Sequence, residues 1–555
     1  MMKFVLALHS HLPWVLHHGR WPHGSDWLCE AAVDTYLPLL DALQELEREG
    51  VDAPVTLGIT PVLASQLAHP SFAVELEAFL AQRLATCAEA PASLVGTHDD
   101  ELIPIAAYWE RRYRRLLDVF HEAGSDLVAA FGNLERRGRL ELISSAATHG
   151  FLPLLGRDES IRLQLFAGRA AHRRLFGRDP VGCWLPECAF RPEGPWAPHG
   201  AKRAAFRRST GDFLREAGFR YFFVDAHLVE AGGYLGQYHD VPLGAERFDT
   251  DPAAKDSEPT PVAKRSPYFP YRMPGKGRSL TALVRDPHTS LQIWSRFQGY
   301  PGDFSYLEFH KIRWPGGLKL WKVSGAGADL GDKQPYDPDV ARQRAGDHAR
   351  HFADILSRTA AAKDGVVIVA PFDTELFGHW WFEGVDFLAD LYRALPGGAA
   401  QPSSAGPLVA AGGSRPIVRL AEGSWGNHGD FSMWLSPETQ WTWDRMWPLE
   451  DAFWAAAPAA LAGGEDRRTV LAQAARSMLL AQASDWQFII STGAAGDYAG
   501  QRFLLHCEDA EKLLAALAPD ATPEQLAAAV AEAALLRPRD DLFPDVLDAV
   551  AKALG

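Results

Sequence analysis

Cysteine is scarce in this sequence, which has 5 cysteines among 555 residues. They are Cys29, Cys87, Cys183, Cys188 and Cys507. The set is odd in number and contains no pair of CxxC motifs, which argues against a cysteine zinc site and for a reducing compartment. We therefore predict that Cys183 and Cys188 are free thiols packed beside a strand.

Long apolar runs are also lacking. We find no uninterrupted stretch of about 20 apolar residues, the length that a membrane-spanning helix needs. The apolar run at the amino terminus is too short for the core of a signal peptide and meets His9 at once. We therefore expect a cytoplasmic protein for which a membrane is not a partner.

The sequence also lacks an excess of basic residues. Lysine and arginine number 55 against 70 aspartates and glutamates, which gives a formal net charge of −15 at pH 7. This balance disfavours nucleic acid as a partner, because a phosphate backbone needs a basic surface. A neutral substrate fits better. The 18 tryptophans point to sugars, whose apolar C–H faces stack on indole rings.

One arrangement recurs along the chain: a short apolar run ends in a polar residue, and a helical pattern follows. Strands that alternate with helices predict an α/β fold with a parallel sheet, and polar groups at strand ends are typical of the catalytic face of a (β/α) barrel. An open doubly wound sheet is the alternative, although no GxGxxG motif follows the first run. The seven runs lie at residues 3–8, 55–61, 140–147, 181–187, 221–227, 280–284 and 366–373.

The stretch at residues 365–384, GVVIVAPFDTELFGHWWFEG, concentrates these features. Its β-branched run predicts a fully buried strand that leads into Asp373. Glu375, His379 and two tryptophans follow, and packing alone does not require such a mixture of ionisable and aromatic groups. The alternative is a buried strand followed by a helix-capping aspartate.

Two segments interrupt the pattern. Residues 228–279 form a long stretch without a helical or strand pattern, which predicts either a functional lid or a disordered insertion. Residues 396–416 are rich in Gly, Pro, Ser and Ala and predict a linker. We therefore expect a catalytic barrel at 1–395, with an insertion at about 190–279 that includes a mobile loop near 228–265, and a helical domain at 417–555 that completes the active-site cleft.

Glu187 and Asp373 are the carboxylates on the most strand-like runs. Glycosyl transfer and hydrolysis use such a pair: one ionised carboxylate attacks the anomeric carbon, and the other, held protonated, gives a proton to the leaving oxygen. The rigid apolar residues 184–186 would limit the hydration of Glu187, and Arg191 would favour its ionised form. The alternative is a helix-capping glutamate paired with Arg191.

His9, His11 and His149 follow predicted strands and permit a metal interpretation. Two histidines at i and i+2 on a strand point the same way, and with a third histidine and an aspartate they can hold a divalent ion, as in metal-dependent deacetylases or zinc-dependent mannosidases. Uncharged imidazoles also serve as hydrogen-bond partners for sugar hydroxyls. A packed core histidine is the simplest interpretation of any one of them alone.

Taken together, these motifs resemble those of glycoside hydrolase family 57. Residues 9–13, 148–150, 184–187 and 370–380 are similar to the first, second, third and fourth motifs of the family, and the similarity runs from residue 2 to about 508. The resemblance implies an incomplete seven-stranded (β/α)7 TIM-like barrel with an inserted loop and helical subdomain, and a carboxyl-terminal α-helical domain. It also implies a retaining double displacement with Glu187 as nucleophile and Asp373 as general acid/base, and no metal or cofactor.

The branching enzymes of this family, which transfer a cleaved α-1,4-glucan segment to a 6-hydroxyl, give the activity that the resemblance implies. An α-glucan such as amylose, amylopectin or glycogen would then be the partner of a monomeric enzyme. The alternatives are an α-amylase or 4-α-glucanotransferase of the same family, or a catalytically inactive glucan-binding relative. The substrate-binding candidates are His9, His11, His149, Trp294, Trp425, Trp434, Asp485, Trp486 and Arg285, with Tyr234 or Tyr238 at the tip of the loop.

Overall fold

The computed structural model describes residues 2–198, 204–230, 265–294, 299–325, 327–362 and 366–555. Within these residues the protein is an α/β structure with seven parallel strands, and each strand lies on one of the seven predicted apolar runs. The strands β1 to β7 span, in chain order, Met2–Ser10, Val55–Ile59, Leu140–Ile143, Gly182–Cys183, Tyr221–Val224, Thr281–Val284 and Val367–Asp373.

The strands form two parallel sheets, with the order β7-β1-β2-β3 in the first and β4-β5-β6 in the second. Single parallel bridges, from Ser144 to Cys183 and from Arg285 to Val369, connect the edges of the two sheets. Each of the seven strands therefore has a parallel neighbour on both sides, and their carboxyl ends lie at the same edge.

Both faces of the strands are buried, as their nearly continuous apolar sequences predicted. In β1, Phe4, Leu6 and Leu8 belong to a large hydrophobic cluster shared with the helices. Val5 and Ala7 alternate with them and belong to a second, smaller cluster. This second cluster, which we call the inner cluster, also includes Ile143, Phe223, Leu283, Val367 and Val369.

Helices surround the strands and form most of the rest of the described chain. The α-helices α1 to α18 span Ser25–Ala31, Leu37–Glu49, Pro61–Leu67, Pro70–Leu94, Ile103–Glu122, Leu127–Arg136, Asp158–Phe176, Thr210–Glu216, Pro287–Trp294, Pro338–Ala362, Gly384–Ala394, Ala405–Ala410, Gln440–Leu461, Glu465–Ala481, Asp485–Thr492, Gly496–Ala515, Pro523–Leu536 and Val546–Leu554. A π-helix at Ala32–Tyr36 joins the first two. Near the carboxyl terminus, α14 packs against α13, α16, α17 and α18.

Short elements occupy several of the connections. Three further strands lie within the predicted insertion, at Gly194–Trp196, Ala205–Arg207 and Tyr271–Arg272. The 3-10 helices span Asp100–Leu102, Leu152–Leu154, Pro186–Cys188, Ala226–Val229, Tyr300–Gly302, Leu330–Asp332, Thr374–Leu376 and Asn427–Gly429.

The structure differs from the sequence prediction at two places. Residues 396–416, predicted as a linker, contain α12 and a strand, Ala400–Pro402, which pairs in parallel with β1. Their Gly and Pro content predicts turns, but pairing with the available edge of β1 outweighs this local preference. The strand predicted over 181–187 is restricted to β4, because the chain turns at Pro186, which has no N–H to give to a neighbouring strand.

All five cysteines are free and buried, which confirms the expectation of free thiols. Cys183 lies in β4, and Cys188 lies in the turn that follows it. Within the described part of the chain, no helix is both long enough and apolar enough to cross a bilayer.

Candidate active site

Polar side chains continue the face of the inner cluster at the carboxyl ends of the strands. Side chains alternate along a strand, so a residue two positions beyond a cluster member points to the same face. The register of β1 and β7 also sets His9 directly opposite Asp373. The polar residues placed in this way are His9, Asp225 and Arg285, two positions after Ala7, Phe223 and Leu283, and Asp373, which lies four positions after Val369 on the same face.

Glu187 reaches this edge through a turn. It lies in the 3-10 helix Pro186–Cys188 with φ 59° and ψ 22°, a left-handed conformation that is uncommon for a residue with a side chain. His149, which follows β3, also has a φ of 59°. Such conformations persist only where the surroundings hold them, and they cluster at functional sites. Both residues belong to motifs that the sequence singled out.

Both carboxylate oxygens of Glu187 accept hydrogen bonds. The hydroxyl of Ser484 donates to Oε1 at 2.9 Å, and the indole N–H of Trp425 donates to Oε2 at 3.0 Å. Burial raises the pKa of Glu187, and these two hydrogen bonds oppose that increase because they favour the ionised form. The alternative in which Glu187 pairs with Arg191 is wrong, and so is the expected help of Arg191 in ionising Glu187, because that guanidinium lies over the ring of Trp196, 5.3 Å from its centre.

A chain of hydrogen bonds connects Glu187 to His9. His149 Nδ1 lies 2.9 Å from Ser484 Oγ, and His149 Nε2 lies 3.0 Å from His9 Nε2. An ionised carboxylate only accepts, so Ser484 donates to Glu187 and accepts from His149. His149 Nε2 must then accept from the N–H of His9. Burial lowers the pKa of both histidines well below the ordinary value, so both rings are neutral and can take these roles.

His11 lies beside this chain but pairs with a different carboxylate. Its Nε2 is 2.9 Å from Asp485 Oδ2, and its Nδ1 is 3.0 Å from the Thr60 hydroxyl. Its ring also stacks on His149 with the ring centres 4.0 Å apart. Burial by itself lowers the pKa of His11, but the charge and hydrogen bond of Asp485 outweigh burial and raise it overall. The three histidines therefore lie together, and only His11 gains affinity for a proton.

Burial raises the pKa of Asp373 as it does that of Glu187, but the acidic neighbours of Asp373 increase the effect instead of opposing it. Burial, followed by the negative charges of Glu375 and Glu187, raises the pKa of Asp373 well above its ordinary value, and Arg285 opposes this increase. A carboxyl group in such surroundings keeps its proton at higher pH, as a general acid requires. Glu187 thus has two hydrogen-bond donors, whereas Asp373 lies near the negative charge of Glu375.

Arg285 contacts the carboxylate of Asp225 and two aromatic rings. Its Nη1 lies 3.0 Å from Asp225 Oδ2, and its Nε donates to the Ser290 hydroxyl at 3.0 Å. The guanidinium carbon is 5.6 Å from the ring centre of Trp294 and 5.9 Å from that of Trp425. The two indole rings meet edge to face, 6.1 Å apart. Trp425 is buried, whereas Trp294 is only partly buried, so Trp294 is the ring of this pair that keeps exposed surface.

Two of the predicted substrate-binding tryptophans, Trp434 and Trp486, are buried in the structure. Trp434 is fully buried and stacks on Phe151 with the ring centres 4.4 Å apart. Trp486 is also fully buried and donates its indole N–H to a main-chain carbonyl at 2.8 Å. Neither indole has an exposed face in this structure. Tyr234 and Tyr238 lie outside the described residues.

His11, His149 and Asp485 offer ligand atoms that lie within 4.8 Å of one another, a group of the kind that can hold a metal ion. Each ring nitrogen of the two histidines already has a hydrogen-bond partner in the network. A cation would have to displace the contact between His11 and Asp485. The three residues therefore form a complete hydrogen-bonded group without an ion.

Two residues of the site were not singled out from the sequence. Asp225 follows a strand-like run, so its position was a usable signal. Ser484 precedes Asp485 in the carboxyl-terminal part of the chain, and no local pattern marks it. Its function depends on contact with a residue 297 positions away.

Residues 5–399 match the model of glycosyl hydrolase family 57, and residues 447–549 match the model described as 1,4-alpha-glucan branching enzyme, C-terminal. The chain is 38% identical over 515 residues to the 1,4-alpha-glucan branching enzyme of Thermococcus kodakarensis, an alignment that covers 92% of this chain and 73% of that protein. It is 31% identical over 548 residues to a probable 1,4-alpha-glucan branching enzyme of Mycobacterium tuberculosis, covering 93% and 92%.

Solved structures resemble the chain over nearly its whole length. The crystal structure of a branching enzyme from Thermococcus kodakaraensis superposes with a TM-score of 0.87 at 35% identity, covering 99% of this chain and 96% of that one. The α-amylase AmyC from Thermotoga maritima superposes with a TM-score of 0.79 at 26% identity, covering 99% of both chains.

Proposed function

The chain belongs to glycosyl hydrolase family 57, as its motifs predicted, and on this premise we propose that it is a 1,4-α-glucan branching enzyme. It cleaves an α-1,4 glucosidic bond and transfers the released segment to a 6-hydroxyl, which forms an α-1,6 branch in glycogen or a similar α-glucan. The observation that carries the proposal is the pair of carboxyls at one edge of the strands, the buried Glu187 and the half-buried Asp373, in different surroundings. Branching-enzyme relatives that align with almost the whole chain support it.

In the first half of the reaction, Glu187 is the nucleophile and Asp373 the general acid. The hydrogen bonds from Ser484 and Trp425 favour the ionised form of the Glu187 carboxylate, and its oxygens keep lone pairs for attack on the anomeric carbon. As the glycosidic bond breaks, Asp373 gives its proton to the leaving oxygen. The products are a covalent glycosyl-enzyme and a glucan with a new free end.

In the second half, the ionised Asp373 takes a proton from the 6-hydroxyl of an acceptor glucan, whose oxygen displaces Glu187 from the anomeric carbon. Two inversions retain the α configuration. Water competes for the same intermediate, so transfer requires an aligned acceptor and a site closed to water. We assign sugar stacking to Trp294, whose ring is only partly buried, and the role of lid to the segment that carries Tyr234 and Tyr238. Trp425 is buried and acts through its hydrogen bond to Glu187.

The histidines divide into two roles in this proposal. The side chains of His11 and Asp485 keep 11% and 13% of their surface exposed, so they can contact sugar hydroxyls directly. His9 and His149 are buried more deeply and act through the hydrogen bonds that orient Glu187. No step needs a Lewis acid, because one carboxyl forms the intermediate and the other supplies the proton. We therefore propose an enzyme that uses no metal and no cofactor.

The proposal extends to the architecture. We interpret the seven strands and their two connecting bridges as an incomplete (β/α)7 barrel in a catalytic domain at 1–395. Residues 417–555 are then the helical domain that completes the cleft, because this part supplies Ser484 and Asp485. A monomer in the cytoplasm, without membrane or nucleic-acid partners, fits the net charge of −15 and the free cysteines.

Incubation with amylose, followed by counting of α-1,6 linkages by proton NMR, tests the proposal. We expect new α-1,6 signals in excess of new reducing ends. New reducing ends alone would indicate an α-amylase, the activity of the 26% identical relative. Redistributed α-1,4 chain lengths without branches would indicate a 4-α-glucanotransferase, and binding without turnover would indicate an inactive glucan-binding protein.

A further inference from the structure

The π-helix at Ala32–Tyr36 contacts the segment that follows β7. The main-chain N–H of His379 donates to the Thr35 hydroxyl at 3.2 Å, and the Nδ1 of the same histidine lies 3.3 Å from the carboxylate of Asp34. Gly378, with a φ of 117°, approaches Asp34 so closely that a Cβ there would lie 2.0 Å from its carbonyl oxygen. π-Helical turns are rare and often mark functional sites. This one is packed against the chain beside the proposed acid.

Glu375 is the residue of this segment that the π-helix holds most directly. The hydroxyl of Tyr36 donates to Oε1 of Glu375. The main-chain N–H of His11 donates to the same oxygen at 3.1 Å. Glu375 is 9% exposed and lies two residues after Asp373, yet no step of the proposed reaction uses it. A buried carboxylate with two dedicated donors therefore needs an explanation.

We propose that Glu375 is a positioning residue whose negative charge, fixed by Tyr36, keeps the catalytic proton on Asp373 until the glycosidic bond breaks. This inference rests on the proposed function of the site. Glu375 acts through Asp373: the charge makes early ionisation of Asp373 unfavourable. The proton still moves from Asp373 to the leaving oxygen and returns from the acceptor hydroxyl, so the overall balance of the reaction is unchanged.

The charges around Asp373 come from three neighbouring segments. Glu375 follows it in the chain, Glu187 lies beyond β4, and Arg285 lies at the end of β6. After burial, the charge of Glu375 is the largest cause that raises the pKa of Asp373, ahead of Glu187, while Arg285 lowers it. Glu375 therefore contributes more to retention of the proton than the nucleophile does.

The groups around Glu375 keep it available in its charged form. Burial raises its pKa, whereas the hydroxyl of Tyr36, the main-chain N–H of His11 and the charge of His11 lower it. Burial and the charge of Glu375 raise the pKa of Tyr36 well above the ordinary value. Tyr36 thus stays protonated and serves as a constant hydrogen-bond donor.

Glu375→Gln tests the inference when kcat for cleavage of amylose is measured against pH. Glutamine keeps the size and the acceptor oxygen but removes the charge, so the pKa of Asp373 decreases. Asp373 must be protonated to cleave the bond, so the alkaline limb of the profile moves to lower pH. We expect kcat at a pH on the wild-type alkaline limb to fall about tenfold.

Tyr36→Phe provides a second variant that keeps the inference testable if Glu375→Gln does not fold. Loss of the hydroxyl donor raises the pKa of Glu375 toward that of Asp373, so the two carboxyls compete for protons on the alkaline limb. The alkaline limb is expected to move in the same direction by a smaller amount.

Tyr221 and Glu141 supply matched controls. They form another tyrosine–glutamate pair, partly buried, in which the Tyr221 hydroxyl donates to Glu141 Oε1 at 2.7 Å. This pair lies near the amino ends of β5 and β3, at the opposite edge of the strands from the site. Tyr221→Phe and Glu141→Gln remove the same groups away from Asp373 and are expected to leave the alkaline limb in place.

A folded Glu375→Gln variant with an unmoved alkaline limb would overturn the inference. If KM rises while the pH profile is unchanged, Glu375 is a substrate ligand and the inference is also overturned. An alkaline limb that moves by the same amount in the Glu141→Gln control would show that the shift does not depend on a charge near Asp373. This result would also overturn the inference.

Thermal unfolding gives a readout that does not depend on turnover. The folded-state pKa values of Asp373 and Glu375 are raised, so the stability these groups contribute is lost as pH rises through those values. Glu375→Gln should therefore flatten the decrease of Tm from acid to neutral pH, and should flatten it less in an Asp373→Asn background. Equal flattening in the two backgrounds would overturn the coupling. Absence of branch formation by the wild type would overturn only the proposed function.

Discussion

Removal of one hydroxyl group, in Ser484→Ala, is expected to impair the nucleophile while leaving its carboxylate in place. Ser484 Oγ is 2.9 Å from both Glu187 Oε1 and His149 Nδ1, and Ser484 is fully buried. A hydrogen bond to a charged group contributes about 1.5–3 kcal/mol. Since about 1.4 kcal/mol corresponds to a tenfold change in rate, kcat/KM should decrease about 10- to 100-fold.

The same substitution should change the pH profile in a defined direction. The hydrogen bond from Ser484 opposes the effect of burial on the pKa of Glu187, so its loss leaves that pKa higher. Glu187 must be ionised to attack, and activity is lost as pH falls through its pKa. The acid limb of the profile therefore moves to higher pH. The buried N–H of His149 also loses its acceptor, which lowers the free energy of unfolding by about 1–3 kcal/mol.

The assay is kcat/KM for cleavage of amylose across the pH range, with urea unfolding of each variant. Ser491→Ala is the matched control, because Ser491 lies on α15, the helix that Ser484 precedes, and donates to a main-chain carbonyl at 2.6 Å instead of to Glu187. It should retain the wild-type rate and profile. A folded Ser484→Ala variant within about twofold of wild-type kcat/KM, with an unmoved acid limb, would refute the reasoning.

Other perturbations have equally definite outcomes. Glu187→Gln and Asp373→Asn should each reduce turnover about 10³-fold or more while leaving the fold intact, because both groups act in every cycle; a folded variant with wild-type kcat contradicts the assignment. Exhaustive chelation with EDTA should leave activity unchanged, whereas inactivation that zinc or manganese reverses would support a metal site. Joint replacement of Tyr234 and Tyr238 by alanine should lower the ratio of new branch points to new reducing ends on amylose, and an unchanged ratio would place acceptor selection elsewhere.

The strands and the residues at their ends could be predicted from the sequence because their signals are local. The β-branched run of β7 is too short for a helix and leads directly to Asp373. Alternation along β1 likewise assigns His9 to the face of Val5 and Ala7. A parallel sheet then brings such residues to a common edge even though they are far apart in the chain.

The partners of Glu187 could not be predicted, because they depend on contacts between distant segments. Trp425 and Ser484 lie 238 and 297 positions from Glu187. Arg191 is much nearer in sequence, but the turn at Pro186 directs it toward Trp196. The functions of individual tryptophans could not be predicted for the same reason. The sequence does not distinguish Trp425, which donates a hydrogen bond to the nucleophile, from Trp486, which packs among helices.

Both side chains that bind the carboxylate of Glu187 come from residues beyond 417, whereas Glu187 itself precedes 395. The orientation of the Glu187 carboxylate therefore depends on contacts between these two parts of the chain. Partial opening between them would separate the carboxylate from its donors while every helix stays intact. During heating, branching activity should then be lost at a lower temperature than the helical circular dichroism signal, so a sample can keep its helices without being active. Substitutions that stabilise the contacts between these two parts of the chain should therefore raise the temperature at which activity is lost, without altering kcat.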